Sequence, residues 1–296
     1  MNRTALYSLL GLATLAVSWA AIIIRLADAD PISTALYRMG FAALIIAPFA
    51  LGGLRTGLRR ISTSDRALLI TSGIALGLHF ACWISSLKYT SISNSVVIVA
   101  THPFFVAVAE AVFFKEKLTR NALFGMAVAF VGMVIIAGSD LELGSEHLLG
   151  DVLAFFGAVF AGLYLILGRK IRRNLDNRHY VFPVYLIATI TLLAILFIFG
   201  SPIAGFSGKV WLLFFLLALI PTVIGHTTYN YLLKFVRAHI VAITILGEPI
   251  GATIFAALIF SEYPSPATYM GGSLILIGIF LALIKSKSDT TLKESA

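Results

Sequence analysis

Two stretches set the register of this chain: FGMAVAFVGM, Phe124–Met133, and MGGSLILIGI, Met270–Ile279. Each is an uncharged run with glycine at its second and ninth positions, and the two lie 146 residues apart. Working outward at the same offset, FFKEKLT falls on IFSEYPS, THPFF on GEPIG and SSLKYTS on YLLKFVR, without a gap from Leu87 to Ala137. Identities are few, but the punctuating residues coincide: Pro103 with Pro249, Glu116 with Glu262, Gly125 with Gly271 and Gly132 with Gly278. The chain reads as a duplicated unit, and that repeat constrains every later inference about fold.

Composition says what kind of unit is duplicated. Of 296 residues, 59% are hydrophobic and 12% charged, where roughly a quarter are charged in a soluble domain. The charges are also segregated, with almost none in Ala67–Leu87 and Ser93–Phe114. About 20 apolar residues cross a bilayer core. Ten such windows run at approximately 5–24, 32–51, 67–87, 93–114, 121–138, 149–168, 180–199, 209–233, 238–260 and 267–284. The first reads as a span and not a cleaved leader, because its apolar stretch is long and no small-x-small site precedes Arg25. A lone cysteine, Cys82, excludes an internal disulfide framework and a multi-thiolate metal site.

A formal charge of +8 raises the question of nucleic acid, and the placement of the charges answers it. With a cytoplasmic N-terminus, the inside segments hold Arg3, Arg55, Arg59, Arg60, Arg66, Lys115, Lys117, Arg120, the cluster from Arg169 to Arg178, Lys234, Arg237, Lys285, Lys287 and Lys293. Outside connections hold only Arg25, Lys88 and Lys209. Such a bias orients a multi-pass protein with both termini cytoplasmic. The basic excess is a topology signal, and no nucleic-acid partner is expected.

A unit of five spans is odd, so its second copy must enter the bilayer from the opposite side. The expected fold is an all-α integral membrane protein with ten transmembrane helices as two inverted five-helix repeats. The first repeat occupies 1–140 and the second 147–285, with a cytoplasmic tail at 286–296. Inverted halves suit alternating access around a midplane site, as in several secondary transporters.

The two copies, from SLKYTSISNSVVIVATHPFF and from YLLKFVRAHIVAITILGEPIG onward, also resemble the EamA repeat of the drug/metabolite transporter superfamily, over nearly the whole chain. The mid-span proline, the acidic residue closing the fourth and ninth spans (Glu116, Glu262) and the glycine-spaced fifth and tenth spans carry the likeness. The first copy departs in having His102 where the second has Glu248. The resemblance implies an inner (plasma) membrane exporter of amino acids, aromatic ones among them, or related metabolites. Another metabolite class, such as nucleotide sugars, drugs or cations, is the alternative.

Polar interruptions nominate the site. A proline in a helix removes one backbone hydrogen bond, so Pro103 and Pro249 should kink spans four and nine at matching depths, with Pro221 acting similarly in span eight. A kink can serve packing alone, but paired interruptions in two halves point to a transport cavity. Ionisable groups within spans are Arg38, His79, His102, Glu110, His226 and Glu248. Glu110 lies one turn from Lys115, Lys117 and Arg120 and is read as structural. Glu248 has no such escape and either keeps its proton or faces a cation such as Arg38 or a substrate ammonium group.

In the third span Ser72, His79, Trp83 and Ser86 recur at intervals of 7, 4 and 3, one helical face, while Gly73 and Gly77 form an adjacent packing surface. A histidine beside a π-face suits an amino-acid side chain or ammonium group. Trp19, Tyr164 and Tyr229, with His226, extend the theme to a cavity formed by spans one, three, four, six, eight and nine. Packing and interface anchoring are the competing explanation for aromatics. Spans five and ten would be glycine-packed scaffold.

No HExxH, GxSxG or paired aspartate appears, and no filter motif or ring of charges, so an intramembrane enzyme or a channel is disfavoured. No metal or cofactor is expected, and the partners are a small-molecule substrate and the lipid bilayer. Glu248 and histidines that titrate near neutral pH would permit proton exchange, while efflux down a metabolite gradient needs no coupling residue.

Overall fold

The structure, a computed structural model, describes residues 3–59, 61–113, 120–172, 175–232 and 244–283. Among the described residues there is helix and no strand, the outcome that lipid demands, since a helix satisfies its backbone groups within one segment. Eight stretches are long and apolar enough to cross a bilayer: Ala5–Ala27, Pro31–Ala50, Thr63–Tyr89, Ile92–Ala109, Arg120–Ser139, Ser145–Ile171, Asn177–Phe199 and Gly208–Leu232. The ninth and tenth windows contain shorter apolar helices, Gly247–Phe260 and Pro266–Leu283.

Local signals account for several boundaries. Asp30, with Pro31 at the first helical position, accepts the Ser33 N–H at 2.9 Å and starts span two. Ser62, Ser91 and Ser207 do the same for Asp65, Asn94 and Val210 at the heads of spans three, four and eight. Each such cap satisfies a donor that the helix leaves orphaned and is worth about 1 kcal/mol. Gly200 ends span seven in the left-handed region at φ 67°, a conformation glycine adopts without a Cβ penalty.

The glycines of spans five and ten show how the halves are related. A Cβ on Gly125 would overlap the carbonyl oxygen of Gly278, and one on Gly132 would overlap that of Gly271. Gly271 and Gly278 are blocked in turn by the Gly132 and Gly125 carbonyls. As the number rises on one helix it falls on the other, so the pair is antiparallel. At the 146-residue offset, Gly125 corresponds to Gly271 and Gly132 to Gly278. The contact therefore maps onto itself when the copies are exchanged. Antiparallel equivalents related in this way need a two-fold axis across the helices, in the membrane plane, which is the inverted arrangement.

The other packing obeys the same exchange. Span three lies on span six and span eight on span one; span four lies on six and nine on one; spans two and seven pair together. Gly73 and Gly77 seat span three on span seven, 3.1 Å from the Val184 and Ala188 carbonyl oxygens by the position a Cβ would take. Backbones this close leave little room for lipid or water.

Spans four and nine are interrupted at equivalent positions, and span one breaks at Trp19, between Arg3–Ser18 and Ala20–Ala27. Span four runs as Ile92–Val99, turns at Ala100 and Thr101, and resumes at His102–Phe113. In span nine a turn at Leu246 precedes Gly247–Phe260. Ala100 and Leu246 are equivalent at the 146-residue offset. Span eight instead widens into a π-helix over Ala218–His226, between α-helices Gly208–Leu217 and Thr227–Leu232. There Thr222 and Thr227 hydroxyls donate five residues back, to the Leu217 and Thr222 carbonyls, each at 3.2 Å.

Candidate functional site

Where the broken spans meet spans three, six, seven and eight, they enclose a cavity of about 110 Å³. Its wall includes Leu76, His79, Phe80 and Trp83 from span three, Val96, Val99, Ala100 and His102 from span four, and Ala161, Tyr164 and Leu165 from span six. Tyr185 comes from span seven, Thr222, His226, Tyr229 and Asn230 from span eight, and Ile245, Glu248 and Pro249 from span nine. The wall is thus largely apolar and aromatic, with a few convergent polar groups, the usual character of a small-molecule site.

Several of the polar groups are held by a neighbour. His79 donates from Nδ1 to the Gly157 carbonyl at 2.8 Å, leaving Nε2 for the cavity, and its ring stacks on Trp83 with centroids 5.9 Å apart and planes 9° apart. Gly157 allows this, because Trp83 Cβ lies 3.3 Å from where a side chain would begin. His102 donates from Nδ1 to the Val99 carbonyl at 3.1 Å. Val99 is four residues before Pro103, so this is the oxygen that the missing proline N–H leaves without its helical donor. Thr14, in span one, lies 2.6 Å from the Tyr229 hydroxyl, and Asn230 donates to the Tyr164 hydroxyl at 3.4 Å.

Arg38 stands behind this wall in span two and is fully buried. Its Nε donates to Thr222 Oγ1 at 2.9 Å, and its guanidinium carbon lies 4.1 Å from the Phe80 ring centroid and 5.5 Å from that of Trp83. Among the described residues no ion pair joins it to Glu248.

The structure therefore brings together His79, Trp83, His102, Tyr164, His226, Tyr229, Glu248 and Pro249. Ser72, Ser86 and Trp19 lie outside the lining. Ser72 bonds the Tyr180 hydroxyl at 3.0 Å, and Ser86 bonds the Ser95 hydroxyl at 2.6 Å and the Trp83 carbonyl at 2.7 Å. An uninterrupted helix of 27 residues carries one face past both ends of a short cavity, so periodicity finds the face and not the depth. Trp19 falls at the break between Arg3–Ser18 and Ala20–Ala27 and packs against Phe255 at 4.6 Å. Span one backs the cavity through Thr14 and does not line it, and span seven takes a place through Tyr185. Pro103 and Pro221 shape their helices from outside the wall.

The three cavity histidines do not group with other ligand types closely enough to hold a metal ion among the described residues. The Glu110 side chain, Glu116, Lys115 and Lys117 lie outside the described residues. Glu262 is described at one end of the bundle, where Oε1 accepts the Ile92 N–H at 2.7 Å and Oε2 pairs with Arg25 at 3.4 Å. Arg25 also donates to the Thr90 carbonyl at 3.3 Å, so spans one, four and nine are tied there. Phe80, Tyr185 and Thr222 were not nominated by sequence. The only signal for Thr222 is its position beside Pro221.

A family model described as the EamA-like transporter family matches residues 2–138 and again 148–284. An uncharacterized transporter of Archaeoglobus fulgidus is 26% identical over 96% of this chain and 98% of its own. The uncharacterized transporter YyaM of Bacillus subtilis is 24% identical over 90% of each chain. The pseudopaline exporter CntI of Pseudomonas aeruginosa is 24% identical over 77% of this chain and 78% of its own. One crystal structure superposes with a TM-score of 0.64 at 19% identity, covering 95% of this chain and 98% of its own, which shows the shared fold.

Proposed function

The chain belongs to the EamA-like transporter family, and from that premise we propose that it is a secondary carrier exporting amino acids, aromatic ones included, and related small metabolites across the inner membrane. The observation that carries this reading is the cavity between the halves. It holds one carboxylate, Glu248, three histidines and the rings of Phe80, Trp83, Tyr164, Tyr185 and Tyr229. A carboxylate faces an ammonium group, π-faces take a ring or a cation, and histidine nitrogens supply either hydrogen-bonding role. The positions of the broken spans four and nine beside this cavity give the two halves joints at which to rock.

Export as the direction draws support from the relative named for pseudopaline export. With both termini cytoplasmic, the Arg25–Glu262 contact ties the outer ends of spans one and nine, and it releases when the cavity opens outward. The two repeats, 1–140 and 147–285, are the moving bodies, and the tail 286–296 stays in the cytoplasm. The chemistry is movement of an unaltered solute, with no catalytic step.

Purified protein in liposomes should show saturable counterflow of labelled aromatic amino acids, with uptake accelerated by the same solute inside. Uptake of nucleotide sugars or organic cations, with none of amino acids, would overturn the substrate. Flux that rises linearly and ignores solute on the far side would overturn the carrier.

A further inference from the structure

Three polar atoms of Arg38 and the neighbouring Trp83 have one property in common. The Arg38 Nη1 and Nη2, and the indole Nε1 of Trp83, are buried and have no hydrogen-bond partner. All three are donors. A buried guanidinium without a counter-ion is costly even after relaxation, and native proteins leave few buried donors unpaired. Stacking on Phe80 at 4.1 Å and the bond from Nε to Thr222 offset part of that cost, but neither supplies the acceptor that the other guanidinium nitrogens lack.

A cluster made only of orphaned donors, one of them a planar cationic fork, specifies the missing group. It accepts and does not donate, it carries negative charge, and it presents two oxygens at the spacing of a carboxylate. Phe80 and Thr222 line the cavity and also touch Arg38, so this fork sits one side chain behind the cavity wall. Glu248 supplies the opposite charge in the same cavity.

We propose that Arg38 and the Trp83 indole N–H form a carboxylate subsite, reached as the Phe80 ring turns aside, so that this carrier accepts solutes bearing a free carboxylate. In the amino-acid case the ammonium group faces Glu248; that half rests on the function proposed above, whereas the carboxylate half does not.

The test uses the full chain in lipid nanodiscs and three probes titrated calorimetrically: L-phenylalanine, L-phenylalaninamide, which lacks the carboxylate charge, and 3-phenylpropionate, which lacks the ammonium group. Phenylalanine should bind at least ~10-fold more tightly than its amide, as expected for a charge-assisted bidentate contact. In Arg38→Gln the two should become equal, in Arg38→Lys the preference should partly survive, and in Trp83→Phe it should shrink. Equal affinities in the unmodified protein overturn the subsite without need of any variant. So does Arg38→Gln that melts earlier but keeps the preference, because Arg38 would then only hold spans two, three and eight together. Binding of 3-phenylpropionate without phenylalanine supports the subsite and removes the amino-acid reading. Binding of the amide alone overturns the subsite and the amino-acid reading together, since the free amino acid is then rejected, and no binding of any probe counts against both.

Discussion

Spans four and nine are copies of one another, and both break just before a proline, yet the breaks are mended differently. In span four the repair is local. Thr101 gives its hydroxyl to the Ile98 carbonyl at 2.7 Å, and His102 gives Nδ1–H to the Val99 carbonyl at 3.1 Å. In span nine the residue before the proline is Glu248, and among the described residues its carboxyl group donates to no carbonyl of the break. The hydroxyls near that break come from another helix: Thr14 Oγ1 lies 3.3 Å from the Thr244 carbonyl and Ser18 Oγ 3.5 Å from that of Glu248. His102 thus has one ring nitrogen committed to the backbone, and the Glu248 carboxylate has no such duty. Two positions that align as equivalents have divided into a mender and a carboxyl group with no backbone duty.

Replacing Glu248 by Gln tests that division most severely. Counterflow should fall by at least ~30-fold, the equivalent of about 2 kcal/mol for a buried charge contact, with normal protein abundance and with any pH dependence of transport removed. A wild-type rate and pH profile would take Glu248 out of the site. His102→Ala should act on stability instead, lowering the thermal midpoint by the equivalent of about 1–3 kcal/mol for a bared buried carbonyl. His102→Asn, which keeps a donor, should recover most of the loss. A fully stable His102→Ala protein that no longer transports would reverse the assignment.

Pro103→Ala sharpens the comparison further, because it returns an N–H to the Val99 carbonyl. In that background His102→Ala should cost ~1 kcal/mol less, measured as a double-mutant cycle; an unchanged cost would separate the histidine from the break. The smallest effect is expected from Thr14→Val, which touches span nine only from outside. It should lose about 0.5–1.5 kcal/mol and leave the stability of the span-four break untouched.

What was legible in the chain and what was not follows from how side chains report their surroundings. Gly125, Gly132, Gly271 and Gly278 were visible because only glycine fits where one backbone meets another, and that alone carries the inverted repeat. The prolines were visible for a similar reason. The π-helical stretch was not, since Pro221 marks an irregularity without saying that Ala218–His226 widens and turns Thr222 toward Arg38. Phe80 and Tyr185 were hidden among apolar neighbours, because hydrophobicity looks the same toward lipid, a packed helix or a void. Arg38 was legible as an ionisable group inside a span, but that its guanidinium ends meet no acceptor depends on spans three and eight arriving from elsewhere in the chain.

Exchanging the two copies maps the glycine-to-carbonyl contacts between spans five and ten onto one another, so under the alternating access proposed above those backbone contacts favour neither face. They can act as a fulcrum and cannot tip the scale. Any resting preference must come from positions where the copies differ, such as Arg25 and Arg38, whose counterparts at the 146-residue offset are Ile171 and Val184. A tandem of two identical copies would idle at even odds, its direction left wholly to solute concentrations and voltage.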